Sequence, residues 1–302
     1  MENPFFTVVI PTHNRSGLLK RAVVSVLNQT FEDFELFVVD DHSTDDTSSV
    51  VRSFSDPRIR YAINHRTKGA CGARNVGIFA SKGQWVSFLD DDDEWLPEKL
   101  DSQYKTIQKS NNEIGMICTD YAILKGRSQK PVLIKNRPDG WIQKKVLYGY
   151  CIGCLSSVVM RTDILRSING FDERFKSNQD WDLWFRISEV CKVTYVPIIL
   201  VKMHQEIRQD RIGQNYEAKL AGHILLREKY SKIINSSPIL RHRHESLIFT
   251  YAVLESKKRL AFKCFPWFLL GAFIDSINFI RTIRTVITLS HKNKGQGKIF
   301  YR

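Results

Sequence analysis

The chain has 302 residues, 43% apolar and 11% aromatic, with 45 Lys/Arg against 32 Asp/Glu and a formal net charge of +13. That is a core-forming composition, which excludes a disordered tail and leaves room for one large domain or two modest ones. The charge is uneven: residues 1–100 carry 11 basic and 15 acidic side chains, 101–220 carry 19 and 13, and 221–302 carry 15 and 4, so the basic excess sits mostly in the C-terminal quarter.

The opening MENPFFTVVIPTHN has no basic stretch before its short apolar run, which is not the pattern of an export signal, and a cytoplasmic location is expected. From there two periodicities alternate. TVVI (Thr7–Ile10), FELFVV (Phe34–Val39), RIRYAI (Arg58–Ile63), WVSFL (Trp85–Leu89) and IGMICT (Ile114–Thr119) are β-rich runs, several apolar enough to lie buried in a parallel sheet. Between them, helical spacing follows Asn14 (Leu18, Leu19, Ala22, Val23, Val26, Leu27) and Asp45 (Thr47, Val50, Val51, Phe54). Two more helices are predicted over Cys71–Ser81 and over Pro97–Ser110, where Pro97 suits a first turn. This alternation predicts an α/β fold with an open, mostly parallel, Rossmann-like sheet flanked by helices. A strand over Val193–Val201 follows later, and the chain divides into a first part, 1–205, and a basic amphipathic helical extension, 206–302.

In that extension Leu220–Leu226, Leu247–Leu254 and Phe262–Ile280 have amphipathic helical character. The one candidate span, Ala261–Ile280, has its longest uncharged stretch at Cys264–Ile274, 11 residues, short of the roughly 20 a crossing helix needs. The extension reads as a helical lid or as a dock on a membrane surface, peripheral at the inner face; it carries no recognised nucleic-acid module. Of six cysteines only Cys151 and Cys154 share a C-x-x-C, and nothing completes a zinc site, so ordinary reduced thiols are expected.

Three polar clusters follow predicted strands: PTHNR (Pro11–Arg15), DDHSTDD (Asp40–Asp46) and DDDDEW (Asp90–Trp95). Ligands of open α/β sheets sit at the carboxyl ends of the strands, so all three face one crevice. Four consecutive aspartates repel one another and need compensation, from a divalent cation or from solvent. Asp45 or Thr44 can serve simply as a helix cap. Carboxylates for a base or ribose, arginines for oxyanions and an aspartate run for a hard cation together describe a nucleoside diphosphate site. No phosphate-binding G-x-x-x-x-G-K-[ST], G-x-G-x-x-G or G-x-S-x-G is present.

VVIPTHNR, FELFVVDDHSTDDT, KGACGARNVGIFASKGQWVSFLDDDD, GFDERF and QDWDLWFR resemble, in order and spacing over residues 5–205, the motifs of the family 2 inverting glycosyltransferases, which have the A-type glycosyltransferase fold. The resemblance implies that Pro11, Thr12, Asn14 and Arg15 lie along the nucleoside and that Asp41 reads the uracil edge of a UDP-sugar. It places Arg74 and Asn75 beside the base and the diphosphate, Asp90 near the ribose, and Asp92, last of Asp90-Asp91-Asp92, on Mg2+ or Mn2+, with His204 a further candidate near the metal. Asp180 falls at the catalytic base, with Asp182 the next carboxylate in line. Where the pattern often has Glu, this chain has Gln179. Trp181 and Trp184 are three apart on one helix, so at least one is expected in the core. The expected activity is transfer from a nucleotide sugar to a hydroxyl of a glycan or lipid-linked acceptor in surface polysaccharide synthesis, with no nucleic-acid partner. A metal-dependent nucleotidyltransferase and a catalytically silent nucleotide-sugar binder remain alternatives.

Overall fold

The computed structural model describes residues 3–125, 131–135, 137–149, 152–205 and 215–295. Residues up to Arg174, with those from Gln179 to the end of the last strand, form one compact unit; Phe175–Asn178 and the C-terminal helices form a second.

The first unit begins β1 (Phe6–Thr12), α1 (Ser16–Leu27), β2 (Phe34–Asp40), α2 (Thr47–Arg52), β3 (Ile59–Ile63), α3 (Ala70–Ala80) and β4 (Trp85–Phe88). Every residue of β1, β2 and β4 is buried, as continuous apolar runs require when helices cover both faces of a sheet. β3, β2, β1 and β4 pair in parallel, which sends the loops after them to one edge. Gly77 lets α3 lie close on β1, since a Cβ there would stand 2.5 Å from Val9 Cγ1. Next come β5 (Asp93–Trp95), α4 (Lys99–Lys109), β6 (Ile114–Lys125), β7 (Val132–Ile134), α5 (Gln143–Tyr148), β8 (Val158–Arg161), α6 (Thr162–Ser167), α7 (Gln179–Ser188) and β9 (Lys192–Gln205). Pro97, expected in the first turn of α4, sits just ahead of it.

Beyond β4 the sheet is mixed. Its order is β3-β2-β1-β4-β8-β6-β9-β5, with β7 beside β6. The fifth β-rich run, within β6, does not join β4 directly: β8 lies between them, antiparallel to both, with Met160 opposite Val86 and Met116. β6 then pairs with β9 in parallel through register shifts around Asp120. The acidic run is not a free loop, because its last residues form β5, antiparallel to β9, and Trp95 is buried in the core with Nε1 donating to the carbonyl of Ser156 at 2.7 Å.

The second unit holds α8 (Tyr216–Lys229), α9 (Ser231–Asn235), α10 (Pro238–Leu254), α11 (Lys258–Ile274) and α12 (Ser276–Gly295). Ser237 caps α10 and Pro238 takes the first turn, where its missing N–H costs nothing. Leu220, Ile248, Ala252 and Cys264 form its core, and α11 crosses α10 at Gly271, where a Cβ would come within 1.9 Å of His242 Cε1. The segment Phe262–Ile280 is two helices, broken at Asp275, whose carboxylate accepts from Arg243 Nε at 2.5 Å and from the Asn278 N–H at 3.3 Å. Among the described residues no helix is long and apolar enough to cross a membrane.

Candidate active site

The loop after β1 is locked to the loop after β2. Asn14, at φ 51°, receives the Thr44 N–H on Oδ1 at 2.7 Å, and its own N–H reaches Ser43 Oγ at 2.8 Å. Asp45 acts as a double cap: one oxygen accepts from the Ser16 N–H at 3.0 Å, where α1 begins, and the other from the Thr47 N–H at 3.1 Å, where α2 begins. Asp41 is buried, with its oxygens held by Asn64 Nδ2 at 2.6 Å and by the Gly69 N–H at 2.9 Å. Asn64 in turn donates to the carbonyl of Thr67 at 3.0 Å. Asp40 accepts from the Ser43 N–H at 2.7 Å and from the Tyr61 hydroxyl at 2.5 Å. Pro11 and Thr12 end β1, opposite Val39 and Asp40 of β2.

The acidic turn between β4 and β5 sorts its carboxylates by partner. Asp91 is buried and points to Thr12 Oγ1 (2.9 Å) and Arg15 Nη1 (3.0 Å). Burial pushes its pKa up to about 6; Arg15 and Thr12 pull it down, and Asp92 adds to the rise. Arg15 Nη1 also lies 3.9 Å from Asp92 Oδ2, and Arg21 Nη2 donates to the Asp92 carbonyl at 2.8 Å. Among the described residues, Asp90, Asp92 and Asp93 form a group that could hold a metal ion, with one oxygen from each lying within 4.8 Å of the others. A donor set made only of carboxylate oxygens fits a hard divalent cation. Asp93 was not a candidate ligand in the sequence, because nothing in a run of four aspartates says where the strand resumes. The start of β5 brings it into the group, and Ser156 Oγ donates to its Oδ2 at 2.6 Å. His204 lies on β9, the strand beside β5, with Nε2 3.3 Å from Glu94 Oε2, and is not in the carboxylate group.

Arg74 and Asn75 are neighbours on α3 with different surroundings. Arg74 is buried, its Nη2 donates to Asp90 Oδ1 at 2.7 Å and its guanidinium stands 5.5 Å from the centroid of Phe171. Its Nε and Nη1 are buried with no hydrogen-bond acceptor from the described residues. A buried guanidinium with two idle donors beside carboxylates fits an anionic ligand that shares the site. Asn75 is clamped to the GFDERF turn: its Oδ1 accepts from the Phe171 N–H at 2.8 Å, and its Nδ2 donates to the Phe171 carbonyl at 2.9 Å and to Glu173 Oε1 at 2.7 Å. Glu173 also takes Arg66 Nε at 2.5 Å and the Thr67 N–H at 3.2 Å. Burial would raise its pKa, but the bonds from Asn75, Thr67 and Arg66 outweigh it and bring it to about 2. The GFDERF motif alone assigns Glu173 no role; its hold on Asn75, Arg66 and Thr67 is a tertiary relation.

On α7, Asp180 and Asp182 part company. Asp182 is fully buried and ion-paired to Arg186 Nη2 at 2.7 Å, while Arg186 Nη1 donates to the carbonyls of Ile168 and Gly170 at 2.8 and 2.7 Å. Asp180 lies in the first turn, where its Oδ1 accepts from the Trp181 N–H at 2.9 Å. The Tyr121 phenol of β6 has its pKa raised by burial first, then by Cys154, Asp180 and Asp93, so Tyr121 stands within the field of both α7 and the acidic turn. Trp184 is buried in the core, and Trp181 Nε1 donates to the Val146 carbonyl at 2.8 Å, tying α5 to α7. Gln179 opens the helix. Of the C-x-x-C pair, Cys154 is a buried free thiol and Cys151 lies outside the described residues.

The sequence model of the family described as "Glycosyl transferase family 2" matches residues 7–167. The chain is 31% identical over 215 residues, 71% of its length and 82% of the relative's, to the Escherichia coli UDP-Glc:alpha-D-GlcNAc-diphosphoundecaprenol beta-1,3-glucosyltransferase WfgD. Other curated relatives are longer, and the chain spans about a third of the length of two of them. Among solved structures, S. aureus TarS 1-349 in complex with UDP-GlcNAc superimposes with a TM-score of 0.60 at 17% identity, over 100% of this chain and 93% of that one. The mannosyltransferase PcManGT from Pyrobaculum calidifontis, in complex with GDP-Man and Mn2+, gives 0.54 at 15% identity over 96% and 81%. These likenesses agree with the A-type glycosyltransferase fold, and the matched segment contains β1 to α6 with the acidic turn, so the chain belongs to glycosyl transferase family 2.

Proposed function

We propose that this glycosyltransferase moves a sugar from a UDP-sugar to a hydroxyl of a lipid-diphosphate-linked glycan, with inversion at the anomeric carbon, in the assembly of a surface polysaccharide. The single observation that carries the reading is the meeting of Asp90, Asp92 and Asp93 with the idle donors of buried Arg74. A cation and a diphosphate together satisfy both halves of that arrangement. The donor and acceptor classes are supported by the names of WfgD and of the TarS complex.

In this reading residues 1–205 are the catalytic part. Asp41, braced by Asn64 and Gly69, keeps acceptor capacity for the N3–H of uracil. Arg15 and Arg74 face the diphosphate, and Asn75 acts by holding the turn at Phe171 and Glu173 in place. Mg2+ or Mn2+ held by Asp92 with Asp90 and Asp93 would supply Lewis-acid stabilisation of the departing UDP oxygen. Asp180 takes the proton of the acceptor hydroxyl as its oxygen bonds to the anomeric carbon and the bond to the β-phosphate breaks. One displacement inverts the centre.

The test is a panel of nucleotide sugars with a lipid-diphosphate GlcNAc acceptor, read by nucleoside diphosphate release and by the stereochemistry of the product. UDP release that requires acceptor and divalent metal is expected. Pyrophosphate release would identify a nucleotidyltransferase instead, and donor binding without turnover a silent binder.

A further inference from the structure

We propose that the C-terminal helical unit docks on the surface of an anionic lipid bilayer through the outer faces of α11 and α12. Phe262 is 80% exposed, Phe273 88% and Ile277 68%, values far above what aromatic and branched aliphatic side chains on a finished surface show. Phe265, Leu269, Ile280 and Ile287 are open as well. The spacing 262, 265, 269, 273 follows one face of a 3.6-residue helix, and 277, 280, 287 does the same on α12. These are not core positions awaiting a neighbour inside the unit. α11 already buries Cys264, Phe268 and Gly271, and Phe268 packs on Phe249 of α10 with ring centroids 4.5 Å apart. The helices have an inner stripe that builds the unit and an outer one that stays exposed, with Phe265 at the border, its ring 6.0 Å from that of Phe249.

Charge identifies the occupant. Lys257, Lys258, Arg259 and Lys263 surround the start of α11, and Arg281 and Arg284 lie on α12; all are exposed. Between Glu255 and the end of the chain there is one acidic residue, Asp275, and it is paired with Arg243. A second copy paired through this same face would bring cations against cations. Anionic headgroups supply the missing charge, the acyl boundary takes the phenylalanines, and long basic side chains reach outward from an apolar bed without strain. Among the described residues no helix is long and apolar enough to cross, so the proposed face lies in the interface.

The experiment is co-sedimentation of the full chain with vesicles of phosphatidylglycerol and phosphatidylcholine against vesicles of phosphatidylcholine alone, at low and moderate salt. Preference for the anionic vesicles is expected, weakened but not abolished by salt, because the apolar contribution is unscreened. Phe262→Glu with Phe273→Glu should lower the partition coefficient at least about tenfold, while the thermal melt and turnover of a water-soluble acceptor stay as in the parent. Lys258→Glu with Arg259→Glu should remove the anionic preference. Equal binding to both vesicle types, or full binding by the phenylalanine variant, overturns the proposal. So does a dimer, seen by analytical ultracentrifugation, that the phenylalanine variant dissolves without changing vesicle binding.

Discussion

Asp180 and Asp182 are two residues apart on α7 and both have been candidates for the base, yet the structure gives them opposite consequences on mutation. Asp182 has no solvent contact and is ion-paired to Arg186, whose other donors hold the carbonyls of Ile168 and Gly170. Arg186→Met breaks that buried ion pair, a loss of about 3–5 kcal/mol. In a unit of this size each kcal/mol moves the melting temperature by about 2–4 °C, so a drop of about 6–20 °C is expected. Asp180→Asn keeps an oxygen for the Trp181 N–H and should leave stability within about 0.5 kcal/mol. It should cut turnover by about 10²–10⁴, the usual worth of a general base, with donor affinity nearly intact. The assays are melting by circular dichroism and turnover per folded molecule. If Arg186→Met melts with the parent while Asp180→Asn retains turnover, the division of roles between the two carboxylates is refuted.

Chelation of divalent metal should abolish turnover, and Asp92→Asn or Asp93→Asn should raise the Mn2+ concentration needed for half-maximal rate about tenfold or more; full activity in excess EDTA would remove the metal from the mechanism. Gly72→Ala would put a Cβ 1.9 Å from the Thr67 carbonyl oxygen and 3.2 Å from Asn64 Nδ2, so it should displace the brace on Asp41 and weaken UDP binding, measured by calorimetry. Glu173 has a folded-state pKa of about 2 against an ordinary 4.5, so its contribution to stability is present above about pH 4.5 and is lost as pH falls toward 2. The stability gap between the parent and Glu173→Gln, from urea unfolding, should therefore narrow over that acid range and stay constant above it.

Periodicity carried the first half of the fold, because β1, β2 and β4 are buried on both faces and show this directly as apolar runs. It did not carry β8, since VVMR is a short apolar run flanked by small residues and nothing local says that it inserts antiparallel between β4 and β6. In the site, Asp90, Asp92 and Arg15 come together as their positions after strands implied, and Arg74, placed there by the family resemblance, joins them from α3. The contributions of Asp93, Asn64, Arg21 and Glu173 stayed hidden for a different reason. Each depends on a partner 20 to more than 100 residues away, as in the Arg66 to Glu173 pair, and no local pattern encodes such a distance.

The strand order also fixes when the site can exist. Among the described residues β5, which carries Asp93, pairs within the sheet with β9 alone, and β9 is the last strand in chain order. The neighbour that β4 needs on its far side, β8, arrives about seventy residues after it. A nascent chain that has emerged as far as α6 therefore has β1 to β4 in hand, and Ser156 to meet Asp93, but a bare edge on β6 and no partner strand for β5. Pairing at this sequence separation is slow, and unpaired edges invite association in the interval. The closing of β9 over β5 and β6 is thus the step that completes the acidic turn's surroundings, and a fragment ending before Lys192 would lack that step however well its first four strands formed.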